Sequence, residues 1–124
     1  MWLFLNNAMV SAVAHRTKPD SLMVRARIAG DLERFFHPMK VDVERTPNAD
    51  YAYRCTVTRE DFATALGGAL EGVTYPNFKG SVRGAAGNQS AYQVSQRAQA
   101  YGETWDAMFE AQTSLEPDTG RGAW

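Results

Sequence analysis

The stretch Leu22-Met23-Val24-Arg25-Ala26-Arg27-Ile28 alternates in character at every position and decides the fold class. Successive side chains of a β-strand point to opposite faces of the sheet. The pattern therefore predicts a strand whose two faces differ in chemistry. One face carries Leu22, Val24, Ala26 and Ile28, and the other carries Met23, Arg25 and Arg27.

Further strand patterns lie on both sides of this stretch. Residues 8–16 are rich in small and β-favouring side chains, and residues 2–5 either begin the same strand or form a separate short one. Residues 40–45 and 51–57 alternate and are separated by a Pro- and Asn-containing turn. We expect two β-hairpins, the second of which places Tyr51, Tyr53, Cys55 and Val57 on the core face and Arg54 on the opposite face.

Three helices are predicted from capping residues and apolar spacing. Asp31 is suited to cap a short helix at 32–36, and Thr58 is suited to cap a longer one. Ser90 is suited to cap a final helix from about 91 to 112. The apolar stripes are Phe62, Leu66, Leu70 and Val73 on the second helix, and Val94, Ala98, Tyr101, Trp105 and Met108 on the third.

Glycines interrupt two parts of the helical half. Gly67 and Gly68 lie inside the second helix, where they indicate either a close approach to the sheet or a tolerated weak point. The Gly-rich residues 80–88 are expected to be mobile. The core is expected to bury Val24, Ile28, Phe62, Leu66, Leu70 and Trp105.

These elements predict an α+β domain. We expect an antiparallel sheet of about four strands, arranged as two hairpins, with helices packed on one face and a long C-terminal helix. The 124 residues are enough for one domain, which we place at 1–113, followed by a flexible C-terminal tail at 114–124.

Composition excludes several classes of protein. Thirteen Lys and Arg against fourteen Asp and Glu give a net charge of −1, which weakens the case for a wholly electrostatic nucleic-acid binder and for an acidic DNA mimic. One cysteine excludes an intramolecular disulfide framework and a zinc ribbon. No apolar run approaches the length of a membrane span, so we expect a cytoplasmic protein with no membrane partner.

Catalytic patterns are sparse. His15 and His37 are the only histidines, and neither has a metal ligand at suitable spacing. Cys55 has no adjacent base, so it is interpreted as a buried strand residue. His15 paired with Asp31 or Glu33 is the one acid–base alternative left open. We expect no metal ion, no cofactor and no catalytic residue, and the protein is more consistent with a non-enzyme.

Two sets of residues are candidate binding sites. Arg25, Arg27 and Arg54 are predicted to share one sheet face, which is either a solvated face, a protein-binding face or a nucleic-acid-binding face. RNA-binding sheets usually expose aromatic side chains, and the predicted register turns Tyr51 and Tyr53 to the core. The second set is Tyr75, Phe78 and Lys79, which either anchor a partner or turn the chain beneath the last helix.

The last helix carries a large apolar load in Tyr101, Trp105, Met108 and Phe109. In so small a chain we expect these side chains to cover the sheet or the preceding helix. If they are not fully buried, they form a dimer or partner surface.

The chain also resembles a family of small, uncharacterised bacterial and phage proteins. The resemblance covers about residues 8–109, and its pieces are weak singly. It is carried by Leu22-Met23-Val24-Arg25-Ala26-Arg27, Gly30-Asp31-Leu32-Glu33, Asp50-Tyr51-Ala52-Tyr53-Arg54, Tyr75-Pro76-Asn77-Phe78-Lys79, and Ala100-Tyr101 with Trp105. It implies a compact single domain of bacterial or phage origin, and it implies no activity.

The expected function is therefore non-enzymatic protein binding, as an accessory protein or a phage-encoded modulator of a host system. The expected partner is another protein or a second copy of the chain. Nucleic-acid binding through the Arg-rich sheet face is the alternative, and an enzyme of unknown reaction is the second alternative.

Overall fold

A computed structural model describes residues 1–85 and 87–116 of the chain. Residues 117–124, most of the expected tail, lie outside the described part. The elements are β1 (Trp2–Phe4), β2 (Met9–Ala14), β3 (Ser21–Ala26), α1 (Asp31–Phe36), β4 (Glu44–Arg45), β5 (Tyr53–Thr58), α2 (Arg59–Glu71), α3 (Phe78–Gly84) and α4 (Ala91–Leu115).

The strands form one antiparallel sheet in the order β1-β2-β3-β5-β4. The predicted α+β class, the antiparallel sheet and the long C-terminal helix are confirmed. The sheet has five strands rather than about four, because Trp2–Phe4 pair with β2 as a separate strand. The long alternating stretch forms β3 at the centre of the sheet, between β2 and β5.

The core lies on one face of the sheet, under α1 and α2. Phe35 and Phe36 of α1 meet Phe62 of α2, with ring centroids 5.3 and 6.3 Å from it. These rings pack on the inward side chains of the three central strands. The strand contributions are Val10 and Ala12, then Leu22, Val24 and Ala26, then Cys55 and Val57.

Helix α2 packs through a face different from the predicted stripe. Phe62 is buried as expected, Leu66 is half-buried, and Leu70 is 69% exposed. The contacting face consists of Phe62, Ala65, Leu66 and Ala69. At 3.6 residues per turn, Leu70 lies roughly 90° around the helix from the centre of this face, which explains its exposure. Val73 is also exposed because α2 ends at Glu71.

The helix starts agree with the sequence prediction for α2 and α4 and differ from it for α1 and α3. Thr58 and Ser90 cap α2 and α4 as predicted, the latter in a capping box with Gln93. The N-cap of α1 is Gly30 in the left-handed region, φ 90°, so Asp31 is the first helical residue instead of the cap. Helix α3 was not predicted, because Gly80 and Gly84 are poor helix formers.

Other burial expectations are met in part. Val24 is fully buried, Ile28 is half-buried, and Trp105 is 65% exposed. In the stretch 40–45 only Glu44–Arg45 form a strand, although Val41 and Val43 still pack against the core.

Nothing lies within 4 Å of a Cβ built at Gly67 or Gly68, so these glycines do not mediate a close approach to the sheet.

Candidate functional site

A buried ion cluster attaches the long helix to the rest of the fold. Both side-chain oxygens of Asp31 accept hydrogen bonds from the Arg97 guanidinium, at 2.5 and 3.0 Å, and both residues are 1% exposed. Asp31 also accepts from Arg34 and from the backbone N–H of Met9. Arg97 donates in addition to Gln89. The cluster therefore joins α1, β2, α4 and the segment that precedes α4.

Tyr101 provides the next attachment along α4. Its hydroxyl lies 2.9 Å from the carbonyl oxygen of Leu5 and 3.1 Å from that of Ala8, and its ring meets Phe4 edge-on at 5.3 Å. Burial raises the pKa of Tyr101 to about 12, although Arg97 acts in the opposite direction. The phenol is thus neutral and donates one proton to the turn between β1 and β2.

Beyond Tyr101 the apolar stripe of α4 is largely exposed. Val94, Ala98 and Tyr101 are half-buried, whereas Trp105 and Met108 are 65% and 66% exposed. Phe109 is 49% exposed and stacks on Trp105, with ring centroids 5.2 Å apart and planes 10° apart. The expectation that Trp105, Met108 and Phe109 cover the sheet or the preceding predicted helix, α2, is wrong, because α4 packs mainly against α3.

An apolar cleft of about 830 Å³ lies between α3 and α4. Phe78 of α3 stacks on Tyr101 at 5.9 Å, and Tyr75 meets Phe78 at 6.0 Å. Exposed Lys79 and Arg83 of α3 lie on one side of the cleft, and Asp106 of α4 lies on the other. The apolar lining includes Phe4, Phe78, Val82, Ala98, Tyr101, Gly102, Trp105 and Met108.

We call this cleft together with Trp105, Met108 and Phe109 the α3–α4 surface. It brings together the predicted candidates Phe78 and Lys79 with the aromatic stripe of the last helix, while Tyr75 borders it through Phe78. Sequence reasoning missed Val82 and Arg83, because residues 80–88 were expected to be mobile, and it offered no signal for Gly102 of α4. The available signal was Asn77, whose side chain caps α3 by accepting from Gly80 N at 2.8 Å.

Charge is distributed unevenly over this surface. The described part of α4 after Arg97 contains Glu103, Asp106 and Glu110 and no lysine or arginine. The α3 side of the cleft carries the two cations Lys79 and Arg83. Of the three carboxylates only Asp106 lines the cleft, so the surface has one anion on α4 and two cations on α3.

The second candidate, the Arg-rich face, lies on the side of the sheet opposite α1 and α2. Strand pairing sets Ser11, Arg25 and Arg54 side by side across β2, β3 and β5, and sets Trp2 beside Ser11. Paired residues project from the same face of a sheet, so these four side chains share it. Arg27 follows the end of β3 and lies with Arg25 over the ring of Tyr51, at 4.0 and 4.4 Å.

Tyr51 was predicted on the core face, and this prediction is wrong. Tyr51 precedes β5, so the strand alternation does not govern it, and its 3%-exposed side chain packs against the two arginines instead. Burial acts to raise the pKa of the Tyr51 phenol. The Ser11 hydroxyl, the Arg27 charge, the Trp2 indole and the Arg25 charge together outweigh burial and lower this pKa.

The described hydrogen bonds of the three arginines go to Ser11 on the same face and to the loop between β4 and β5. Arg25 donates to Ser11 Oγ at 2.9 Å, and Arg27 donates to the Asp50 carbonyl at 3.3 Å. Arg54 donates to Thr46 Oγ1 at 3.2 Å. Within residues 1–85 and 87–116 none of the three forms a salt bridge. The face thus holds the loop between β4 and β5, and strand pairing also places Glu44 beside Arg54 on it.

The other residues considered for catalysis, His15 and Cys55, have structural roles. His15 Nδ1 accepts from the backbone N–H groups of Thr17 and Lys18, while Asp31 is engaged in the ion cluster, so the two do not form an acid–base pair. Burial, with a smaller contribution from Glu33, raises the pKa of Cys55 to about 12, which keeps this thiol protonated. Among the described residues no three His, Cys, Asp or Glu side chains are grouped to hold a metal ion.

Comparison of the chain with protein-family models, with curated proteins and with solved structures gives no match. Of the helices in the described part, none has both the length and the apolar character needed to cross a bilayer.

Proposed function

We propose that this chain is a non-enzymatic protein-binding or accessory protein whose docking site is the α3–α4 surface. The observation that carries the proposal is the row of Trp105, Met108 and Phe109, which are exposed on the second half of α4. Contiguous exposed apolar patches of this kind mark interaction sites in soluble proteins. Tryptophan is also among the residues that most often dominate binding energy.

The arrangement of Trp105, Met108 and Phe109 favours a binding role for these exposed side chains. The stacking of Trp105 on Phe109 fixes both rings before any partner arrives. Fixed side chains lose less conformational entropy on binding than free ones. The capping box at Ser90 and the buried Arg97–Asp31 pair hold the helix that presents the row.

The proposal includes the setting expected from the sequence. We place the protein in the cytoplasm of a bacterium or of a phage-infected cell, where it acts as an accessory subunit or a phage-encoded modulator. The single thiol, Cys55, is buried and unpaired, which is compatible with a reducing compartment.

Affinity capture from the native host with matched variants tests this function. The double variant Trp105→Ala/Phe109→Ala is expected to lose the specific partner while its circular dichroism spectrum is unchanged. Leu70→Ala is the control, because Leu70 is 69% exposed on α2 and lies outside the α3–α4 surface. Equal capture by the wild type, the double variant and the control would overturn the proposal.

A second candidate function, binding of single-stranded nucleic acid, is favoured by the Arg-rich face. Three arginines without a salt bridge in the described residues share this face with Trp2, which is 61% exposed. Guanidinium groups and an exposed indole can contact phosphates and stack on bases. Binding of a labelled oligonucleotide that weakens with salt, and that weakens further in Arg25→Gln, would support this function. No binding at low salt would exclude it.

A further inference from the structure

We propose that the occupant of the α3–α4 surface is a second copy of this chain, with the exposed ends of two α4 helices packed antiparallel across a two-fold axis. The inference rests on the proposed function and names its partner. Each α4 would cover the apolar row of the other and border the other copy's cleft. Such an interface is isologous, because the same patch is used on both subunits.

The spacing of α4 is that of a helix-pairing seam. The positions 98, 101, 105, 108, 112 and 115 follow alternating steps of three and four residues, the spacing of coiled-coil seams, and all but Gln112 are apolar. The first part of this seam, Ala98 and Tyr101, packs on the body of the protein. The second part begins at Trp105 and is largely exposed in the described chain. One continuous seam is therefore half occupied.

The charges of α4 are placed so that two copies can approach. At 3.6 residues per turn, Glu103 and Glu110 lie on the side of the helix opposite the seam, where like charges of two copies stay apart. Asp106 lies at the border of the cleft, across from Lys79 and Arg83. In the described residues of one copy, no salt bridge joins Asp106 to either cation. A two-fold partner would bring its own Asp106 toward them.

The exposed area agrees with a standard interface. Trp105, Met108, Phe109 and the 39%-exposed Phe78 together present on the order of 450 Å² of apolar surface per copy, given about 200 Å² for a large side chain. A standard interface covers about 800 Å² per partner, of which a little over half is apolar. The available apolar surface thus matches one such interface.

Sedimentation velocity over a range of protein concentrations tests the pairing. We expect the wild type to form a dimer, and we expect Trp105→Ala to weaken it by about 30-fold or more, the effect of losing an interface hot spot. Leu70→Ala, which removes an equally exposed apolar side chain outside the α3–α4 surface, is expected to dimerise like the wild type. Circular dichroism on each variant separates loss of pairing from loss of folding.

Charge-reversal variants test which charged residues face each other across the dimer interface. Lys79→Glu/Arg83→Glu is expected to weaken the dimer, and so is Asp106→Lys. An equimolar mixture of these two variants is expected to form heterodimers that regain the lost affinity, because both edges of the interface then pair opposite charges, one in the native sense and one reversed. A dimer that is indifferent to Trp105→Ala and to both charge variants would overturn the inference.

The outcomes also separate this inference from the function on which it rests. A wild type that stays monomeric at all concentrations, but captures a different protein in a Trp105-dependent way, overturns self-pairing and supports the function. A monomer without any Trp105-dependent capture overturns both. A change of oligomeric state only on adding oligonucleotide would assign the association to the Arg-rich face instead.

Discussion

Arg97 of α4 and Asp31 of α1 lie 66 residues apart in the sequence and form a two-point ion pair that is almost completely shielded from water. This pair, followed one turn later by the Tyr101 hydroxyl, is the polar attachment of α4 to the sheet domain. Both contacts lie in the first half of the helix. The second half, from Trp105 onward, is largely exposed.

Loss of the Asp31 charge is expected to be costly. Asp31→Asn leaves the Arg97 guanidinium buried without its counter-charge, and breaking such a pair costs about 3–5 kcal/mol. Urea unfolding measures the change. Glu110→Gln, exposed on the side of α4 opposite the seam, is the control and is expected to change stability by less than about 0.5 kcal/mol. A loss below about 1 kcal/mol in Asp31→Asn would show that the pair does not hold α4.

Substitution of alanine for Gly68 and for Gly30 is expected to change the stability of the fold in opposite directions. A Cβ at Gly68 meets nothing within 4 Å, so Gly68→Ala is expected to stabilise α2 by about 0.5–1 kcal/mol. Gly30 has φ +90° and a Cβ there would lie 2.6 Å from Arg34 Nη1, so Gly30→Ala is expected to destabilise. Thermal unfolding of both variants checks the pair. A Gly68→Ala variant less stable than the wild type would contradict the packing of α2.

The stability of the folded chain is expected to decrease as the pH becomes alkaline. Folding raises the pKa of Cys55 from 9.0, and that of Tyr101 from 10.0, to about 12 in each case. The unfolded chain therefore loses these protons first, and the stability that they contribute is lost as the pH rises from about 9 to 12. Melting temperatures at pH 8 and pH 10.5 measure the loss.

The matched variant for this pH dependence is Cys55→Ala, which removes one of the two groups. Its decline above pH 9 is expected to be shallower than that of the wild type, whatever its stability at neutral pH. An identical decline would mean that the Cys55 thiol ionises equally easily in the folded and unfolded chains.

The sheet could be predicted because local alternation and tertiary burial agree there. In β3 the alternation of Leu22 and Val24 with Arg25 specifies the face of each side chain directly. Tyr51 was misplaced because it precedes β5, where alternation no longer dictates orientation and two guanidinium groups provide a better contact than the core.

The site could be predicted only in part. The stripe containing Trp105 is visible in the sequence, but its spacing is the same for a helix that packs on a sheet and one that extends away from it. What distinguishes the two is the anchoring of α4 at Arg97, a long-range pairing with Asp31 that no local pattern reveals. Helix α3 was missed for a local reason, since Gly80 and Gly84 outweighed the capping signal of Asn77.

The central claim, that the end of α4 is a protein-docking surface, is tested most directly by photo-crosslinking in the native host. A photoreactive phenylalanine analogue is placed at position 109, or at position 70 as the exposed control on α2. We predict a discrete crosslinked polypeptide from position 109, either a second copy of the chain or another protein, and none from position 70. Absence of a crosslink at 109, or the same products from both positions, would contradict the claim.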